Sequence, residues 1–296
     1  MLANSTMNSW LFPPQTREVQ FDEKWAFVGK KEKNCNPDNP DDATLGDNWD
    51  HVALDAEHKL VVSVVPGKRI KENIQALVKD FKQRTGGRMM NLITTDEYAA
   101  YPDAILQAYG IEVVPERTGK PGRPATPYQV PPPNLTYATV HKTRKKGRVV
   151  KIDCRVVFGT MEAVQAALAK SLVSKAVNTS FVERHNGTDR NRNARKVRKS
   201  YCFSKDTQVH ESVTYFTMYS YNFCWPVRTL RVRESAAQAW QQRTPAMAAE
   251  DSCHGGRIDG SCLVIGGVDR PTERSTEVGH QATFGINKKP ILKCDW

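Results

Sequence analysis

An aspartate inside a β-strand pattern constrains this chain more than any other feature. Residues 18–28 alternate: Val19, Phe21, Trp25 and Phe27 share one face, and Asp22 shares the other with Ala26 and Val28. Aromatic and β-branched residues at period two specify a strand, in which aspartate is depleted, so propensity does not account for Asp22. Residues 51–55 and 59–65 read as two further strands around the turn Ala56-Glu57-His58. Three consecutive strands with short turns make an antiparallel meander. The intervening 30–50 is a polar, solvated loop without the spacing of a cation-binding loop.

Helices and strands then alternate. In 70–84, Ile70, Ile74, Leu77, Val78 and Phe81 recur at helical spacing, and Gly86-Gly87 ends the helix. Residues 89–95 are a fourth strand with Asp96 at its C-terminal end, a helix covers 98–108, and 111–114 form a fifth strand. The Pro/Gly-rich stretch 115–135 reads as extended and irregular, followed by an inserted hairpin over 136–158 that turns at Lys146-Gly147. Six basic residues lie in that hairpin between Lys142 and Lys151. Thr160 caps a helix over 161–172 with Met161, Val164, Leu168 and Leu172 on one face. A helix over 207–224 carries Val209, Val213, Phe216 and Phe223, and Ser235 caps a short last one. The order of elements specifies an α/β fold with a mixed sheet.

The stretch NTSFVERHNGTDRNRNARKVRKSYCFSK, 178–205, starts like a helix, with Thr179 or Ser180 as cap and Glu183 on the first turn. Arg184, Arg190, Arg192, Arg195, Lys196, Arg198 and Lys199 follow against one acid, Asp189. A helix this polar is expected outside the core, as a solvated face or beside a polyanion. The net charge of +11 and the pI of about 9.3 favour nucleic acid as partner. No apolar run approaches the roughly 18 residues of a membrane span. Seven cysteines without a C-x-x-C pair support neither a disulfide framework nor a zinc site and fit a reduced, cytoplasmic setting.

With strands one and four as parallel neighbours, Asp22 and Asp96 face each other across one spacing of about 4.8 Å. A helix packed on that sheet brings Glu183 to the same point. Three converging carboxylates repel unless cations sit between them, and hard oxygen ligands with open positions suit Mg²⁺ or Mn²⁺. Two such ions activate water or a 3′-hydroxyl at a phosphodiester. Taken singly, Asp96 also reads as an N-cap, Asp22 as an edge-strand residue and Glu183 as a capping partner.

The segments QFDEKWAFVGKKEK, LDAEHKLVVSVVPGKR, ITTDEYAAY and FVERHN…R…ARKVRKSYCFSK resemble the catalytic domain of insertion-sequence-one-type DDE transposases, of the ribonuclease-H-like fold. The resemblance covers roughly 18–249, behind an N-terminal remnant over 1–17. It implies a five-stranded mixed sheet flanked by helices, with Asp22, Asp96 and Glu183 as metal-binding catalytic triad. It implies cleavage of double-stranded DNA at element ends and transfer of the freed 3′-hydroxyl, by a homo-oligomer on DNA in the nucleoid. The alternatives are a non-transposing nuclease and a decayed element that only binds nucleic acid. His185 and Asn186 are motif residues; His185 positions a phosphate or a water, or is a helix-surface histidine. Arg190, seven residues after Glu183, faces the same way unless Gly187 breaks the helix. Arg192, Arg195, Lys196 and Lys199 lie along the opposite flank, and Arg184 and Arg198 complete the DNA-contacting set. Such transposases carry an N-terminal zinc ribbon and helix-turn-helix; fewer than 25 residues precede Asp22 here, so a separate DNA-binding polypeptide is expected to supply end recognition. The resemblance stops after Ala249. Residues 250–296, with six basic and seven acidic residues and seven glycines, are expected to be a disordered tail.

Overall fold

The computed structural model describes residues 15–115, 126–197, 199–233 and 238–253, with backbone alone for 251–253. Most of the N-terminal remnant, the middle of the Pro/Gly-rich stretch, Arg198, Ser235 and 254–296 lie outside the described residues.

The described residues form eight strands and six α-helices. The strands are β1 (Glu18–Val28), β2 (Gly46–Asp55), β3 (Leu60–Gly67), β4 (Leu92–Thr95), β5 (Ile111–Val113), β6 (Tyr128–Val130), β7 (Tyr137–Lys145) and β8 (Arg148–Phe158). The helices are α1 (Lys71–Arg84), α2 (Ala100–Tyr109), α3 (Met161–Lys170), α4 (Ser180–Arg192), α5 (Thr207–Cys224) and α6 (Pro245–Cys253). Six strands form one mixed sheet in the order β3-β2-β1-β4-β7-β8. The meander β1-β2-β3 is antiparallel, β1 pairs parallel with β4, β4 pairs parallel with β7, and β8 returns antiparallel on β7.

The sheet therefore has six strands where five were expected. The difference comes from the hairpin, which is no insert. Its first strand takes the fifth place beside β4 and its second adds the edge. Residues 111–113, expected in that place, pair instead with β6 in a separate two-stranded ribbon. Three residues followed by a Pro/Gly-rich stretch offer too short a ladder to compete with the nine-residue β7. Likewise β2 begins at Gly46, inside the stretch read as loop, because Trp49 and its neighbours pair with β1 out to Phe27.

One face of the sheet carries α1 and α2 over a core of Val19, Phe21, Ile74, Leu77, Phe81, Ile93, Tyr101, Ile105 and Tyr137, all fully buried. Phe21 meets Phe81 edge-on at 5.4 Å between ring centroids. Each large apolar side chain in this layer contributes about 1.5–3 kcal/mol. Ala249 on α6 joins the same core, so the last described helix runs across the expected boundary after Ala249.

The other face is covered by α4 and α5 and is far more polar. The inward stripe of α5 is His210, Thr214, Met218 and Asn222, whereas Val209 and Phe216 are exposed. Apolar spacing pointed to the wrong side of this helix: Met218 meets the apolar patch of Val52, Leu54, Val61 and Val64, while His210, Thr214 and Asn222 of the same stripe meet polar partners. Asn222 accepts from the Val61 amide (3.0 Å) and donates to its carbonyl (2.8 Å), satisfying the backbone of the edge strand β3. On α3, Val164 is buried against Leu92, but Met161 and Leu172 are exposed. Thr160 does cap that helix, accepting from the Ala163 amide.

Candidate active site

One polar face of β1 holds α4 in place. Gln20, Asp22 and Lys24 project from the same face at period two. Gln20 Oε1 accepts from the amides of Phe181 and Val182 at 3.0 and 3.1 Å, which satisfies the first turn of α4. Asp22 Oδ2 accepts from Asn186 Nδ2 at 2.8 Å, and Lys24 binds Asp189. The strand advances about 6.6–6.8 Å per two residues and the helix about 4.5–6 Å per three or four, so successive contacts stay in step. The helix lies on the sheet despite its polarity, with His185, Asn186 and Asp189 buried. The expectation of an outward, solvated helix fails here because the facing strand supplies polar partners.

Asp22 and Asp96 come together as expected. β1 pairs with β4 only from Glu18 to Gln20, opposite Leu92 to Thr94. Two residues further along each strand the ladder has ended, and Asp22 and Asp96 line the opening. The strand order reverses at this point, with β1 leading to β2 on one side and β4 to β7 on the other. Such crevices at the carboxyl ends of parallel strands are where ligands bind in open α/β sheets. The cavity has a volume of about 750 Å³, and Asp22, Asp96, Glu183, Asn186 and Arg190 all line it.

Glu183 reaches this cavity but not the aspartates. Its Oε1 accepts from Thr179 Oγ1 at 2.7 Å and pairs with the ammonium of Lys142 on β7. Lys142 also donates to Thr179 Oγ1 at 2.9 Å. The carboxylate grouped with the aspartates is instead Glu23: one oxygen from each of Asp22, Glu23 and Asp96 lies within 4.8 Å of the others. Sequence reasoning missed Glu23 because alternation sends it to the opposite face from Asp22. Beyond the ladder with β4, both faces of β1 open to the same crevice.

Each carboxylate of this trio is anchored on one side. Asn186 holds Asp22, the Tyr98 amide donates to Asp96 Oδ1 at 3.0 Å, and Arg69 donates to Glu23 Oε2 at 2.9 Å. The Asp96 contact is a local turn two residues long, not the expected N-cap: α2 begins at Ala100, with Ala99 in the cap position and no side chain capping it. Arg69 stands 3.9 Å from Asp96 and lies 4.0 Å over the Tyr98 ring. Burial, then the charges of Glu23 and Asp96, push the Asp22 carboxyl up to about 7. Burial also raises Glu23, opposed by the nearby Tyr101 hydroxyl and by Arg69. Glu23 Oε1 and Asn186 Oδ1 are buried acceptors that receive no hydrogen bond among the described residues. Oxygen acceptors without donors beside clustered carboxylates fit a hard divalent cation of the Mg²⁺ or Mn²⁺ type.

The basic run divides. Arg184 and Lys199 are exposed, Arg195 is half-buried, and Arg192 lies exposed with its guanidinium 3.5 Å over the Trp225 ring. Arg190 turns into the cavity on the side of Glu183, since α4 continues through Gly187. Three residues assigned to DNA contact lie inside instead. Lys196 is buried and donates to Asp50 (2.7 Å), Thr214 (2.6 Å) and, when Nε2 accepts, His210 (2.8 Å). His185 is buried against Met218 and edge-on to Tyr221, and burial together with Lys24 lowers its pKa to about 4. It is therefore neither a phosphate contact nor a surface histidine. Asn186 spends its amide on Asp22. The hairpin's basic residues had not been assigned to the site: half-buried Lys142 and exposed Arg144 line the cavity, and His141 pairs with Glu97 at 2.6 Å. Six basic residues within one hairpin were the available signal. No family model and no curated protein matches this sequence.

Proposed function

We propose that this chain is a DNA transposase catalytic domain of the insertion-sequence-one type, with a ribonuclease-H-like fold and a divalent-metal DDE centre formed by Asp22, Asp96 and Glu183. The observation that carries this reading is the meeting of Asp22 and Asp96 at the reversal of strand order, with Glu183 on the same cavity wall. A bound Mg²⁺ or Mn²⁺ pair would activate water or a 3′-hydroxyl and stabilise the leaving oxygen at a phosphodiester.

The chain's own groups have separate tasks in this reading. Asp22 on β1 and Asp96 just past β4 would hold the ions, their carboxylates fixed by Asn186 and by the Tyr98 amide. Glu183 completes the set once Lys142 lets it go, and the released ammonium then serves a phosphate oxygen. Arg190 and Arg144, which both line the cavity, would hold the DNA backbone. The exposed part of the basic run and the basic hairpin flank the duplex. Arg184, Arg192, Arg195 and Lys199 contact phosphates, which position DNA without reading its sequence.

The test is incubation of the full chain with Mg²⁺ and DNA carrying the native element's ends. Expected are metal-dependent cleavage at the ends and joining of the freed 3′-hydroxyl to target DNA, both abolished by D22N, D96N or E183Q. Cleavage without joining would make the protein a nuclease. DNA binding without cleavage would leave a binding protein and overturn the enzymatic reading.

A further inference from the structure

Glu23 has no part in the DDE scheme, yet it is the residue that the fold brings to the two aspartates. Its side chain is 2% exposed, although it lines the cavity. Arg69 holds one of its oxygens; the other, Oε1, has no donor within hydrogen-bond distance, and the nearby Tyr101 hydroxyl is likewise without a partner among the described residues. Outside the acidic trio, Asn186 Oδ1 is a second buried acceptor of the cavity without a donor. Each of these unmet acceptors calls for a cation or a donor.

Charge points the same way. Fully ionised, Asp22, Glu23 and Asp96 carry three negative charges, and Arg69 is the cation paired with them. Lys142, which also lines the cavity, is bound to Glu183. Two formal charges remain in the trio, which one divalent ion matches. Mg²⁺ is held at about 2.0–2.1 Å from oxygen and commonly relies on one or two carboxylates plus substrate phosphates. A third carboxylate removes the need for the phosphate.

We propose that Glu23 is a metal ligand, and that Asp22, Glu23 and Asp96 hold a resident Mg²⁺ or Mn²⁺ before nucleic acid arrives, with Glu183 outside this first site. The proposal rests on reading the cavity as a metal centre. It assigns the order of assembly: the first ion belongs to the free protein, and any ion that needs Glu183 follows the breaking of its pair with Lys142.

The experiment titrates Mn²⁺ into the full chain without DNA and follows the free-ion signal by electron paramagnetic resonance. E23Q should weaken binding by at least about tenfold, the low end of what loss of even an outer partner of a metal ligand costs. D22N and D96N should weaken it at least as much, and E183Q should leave it within about twofold. Wild-type binding by E23Q, with loss in D22N and D96N, would overturn the role of Glu23 and leave the metal centre standing. Equal weakening by E183Q and E23Q would overturn the order of assembly. No Mn²⁺ binding by the wild-type chain would overturn both the proposal and the metal reading. Should E23Q fail to fold, E23D keeps the charge beside Arg69 but withdraws the carboxylate by one methylene. E23D is expected to show the same weakening, and wild-type affinity in it would refute the ligand.

Discussion

Two charged clusters share the same polar face of β1, two residues apart, and they are built on opposite rules. Around Lys24 every charge is matched. Lys24 binds Asp50 and Asp189, Asp50 also takes Lys196 at 2.7 Å, and all four side chains are at most 4% exposed. Burial works to raise the Asp50 carboxyl, but Lys196 and Lys24 outweigh it and hold it well below the usual carboxylate range. Around Asp22 the charges are not matched: three carboxylates share Arg69, and Asp22 is pushed up to about 7. The first cluster ties β1, β2, α4 and α5 together and has no opening for a ligand. The second is left in deficit at the wall of a cavity. Burial of charge is therefore not what separates scaffold from site on this strand; balance is.

The largest expected effect comes from unbalancing the matched cluster. D50N leaves two buried ammonium groups short of a counter-ion, and removing one partner of a buried pair costs about 3–5 kcal/mol. Equilibrium unfolding in urea should register that loss as a lower midpoint. An unchanged midpoint would mean that the cluster is not structural.

The clusters should also part company with pH. His185 is lowered to about 4 from an ordinary 6.5, so the unfolded chain takes up the proton first. Its contribution is full above pH 6.5 and fades as pH falls toward 4, by about 3 kcal/mol. His210, also lowered to about 4 chiefly by burial and Lys196, acts in the same direction. Asp22 acts in the opposite one. Its folded value near 7 lies above the ordinary 3.8, so stability is full below 3.8 and falls as pH rises through 7. At pH 8, D22N should gain about 1–2 kcal/mol, or about 2–4 °C in Tm for each kcal/mol, and near pH 3.5 it should gain nothing. Calorimetry of the metal-free protein at both pH values tests this; a loss of stability in D22N at pH 8 would contradict the deficit at this site.

The smallest effect sharpens the division within the basic run. K199Q should reduce the slope of log K against log salt for DNA binding by about 0.9 without moving Tm. K196Q should lower Tm and leave the slope alone. Equal slopes for K199Q and wild type would remove Lys199 from the interface.

How far these features were legible depends on which partner wrote the signal. Asp22 could be read because an aspartate within a strand runs against local propensity, and Asp96 because it ends the strand expected to lie beside that of Asp22. The meander and the helix over 70–84 could be read because apolar periodicity reports a nearby apolar core. Where the partner surface was polar, the same reasoning misled. Val209 and Phe216 pointed out of α5, since His210, Thr214 and Asn222 had polar partners to meet beneath it. Lys196 was indistinguishable from its neighbours in a run of positive charge, because its burial depends on Asp50, 146 positions away. Glu23 lay hidden behind the rule of alternation, which sends it to the opposite face from Asp22 and says nothing of two side chains meeting where the neighbouring ladder has ended. The hairpin was taken for an insert because residues 111–114 had been given the fifth place in the sheet, which β7 occupies.

That one-sided pairing of β1 has a consequence for exchange with solvent. From Val19 to Phe27 the strand pairs with β2, but with β4 it pairs only as far as Gln20. In a central strand every amide is slow to exchange deuterium, because both ladders must open to release it. Beyond Gln20 only the amides directed at β2 keep that protection. The second half of β1 should therefore show a comb of alternating slow and fast amides, beginning beside Asp22. The fast teeth are main-chain donors facing the crevice, and slowing of those amides alone would report that an anion had come to rest there.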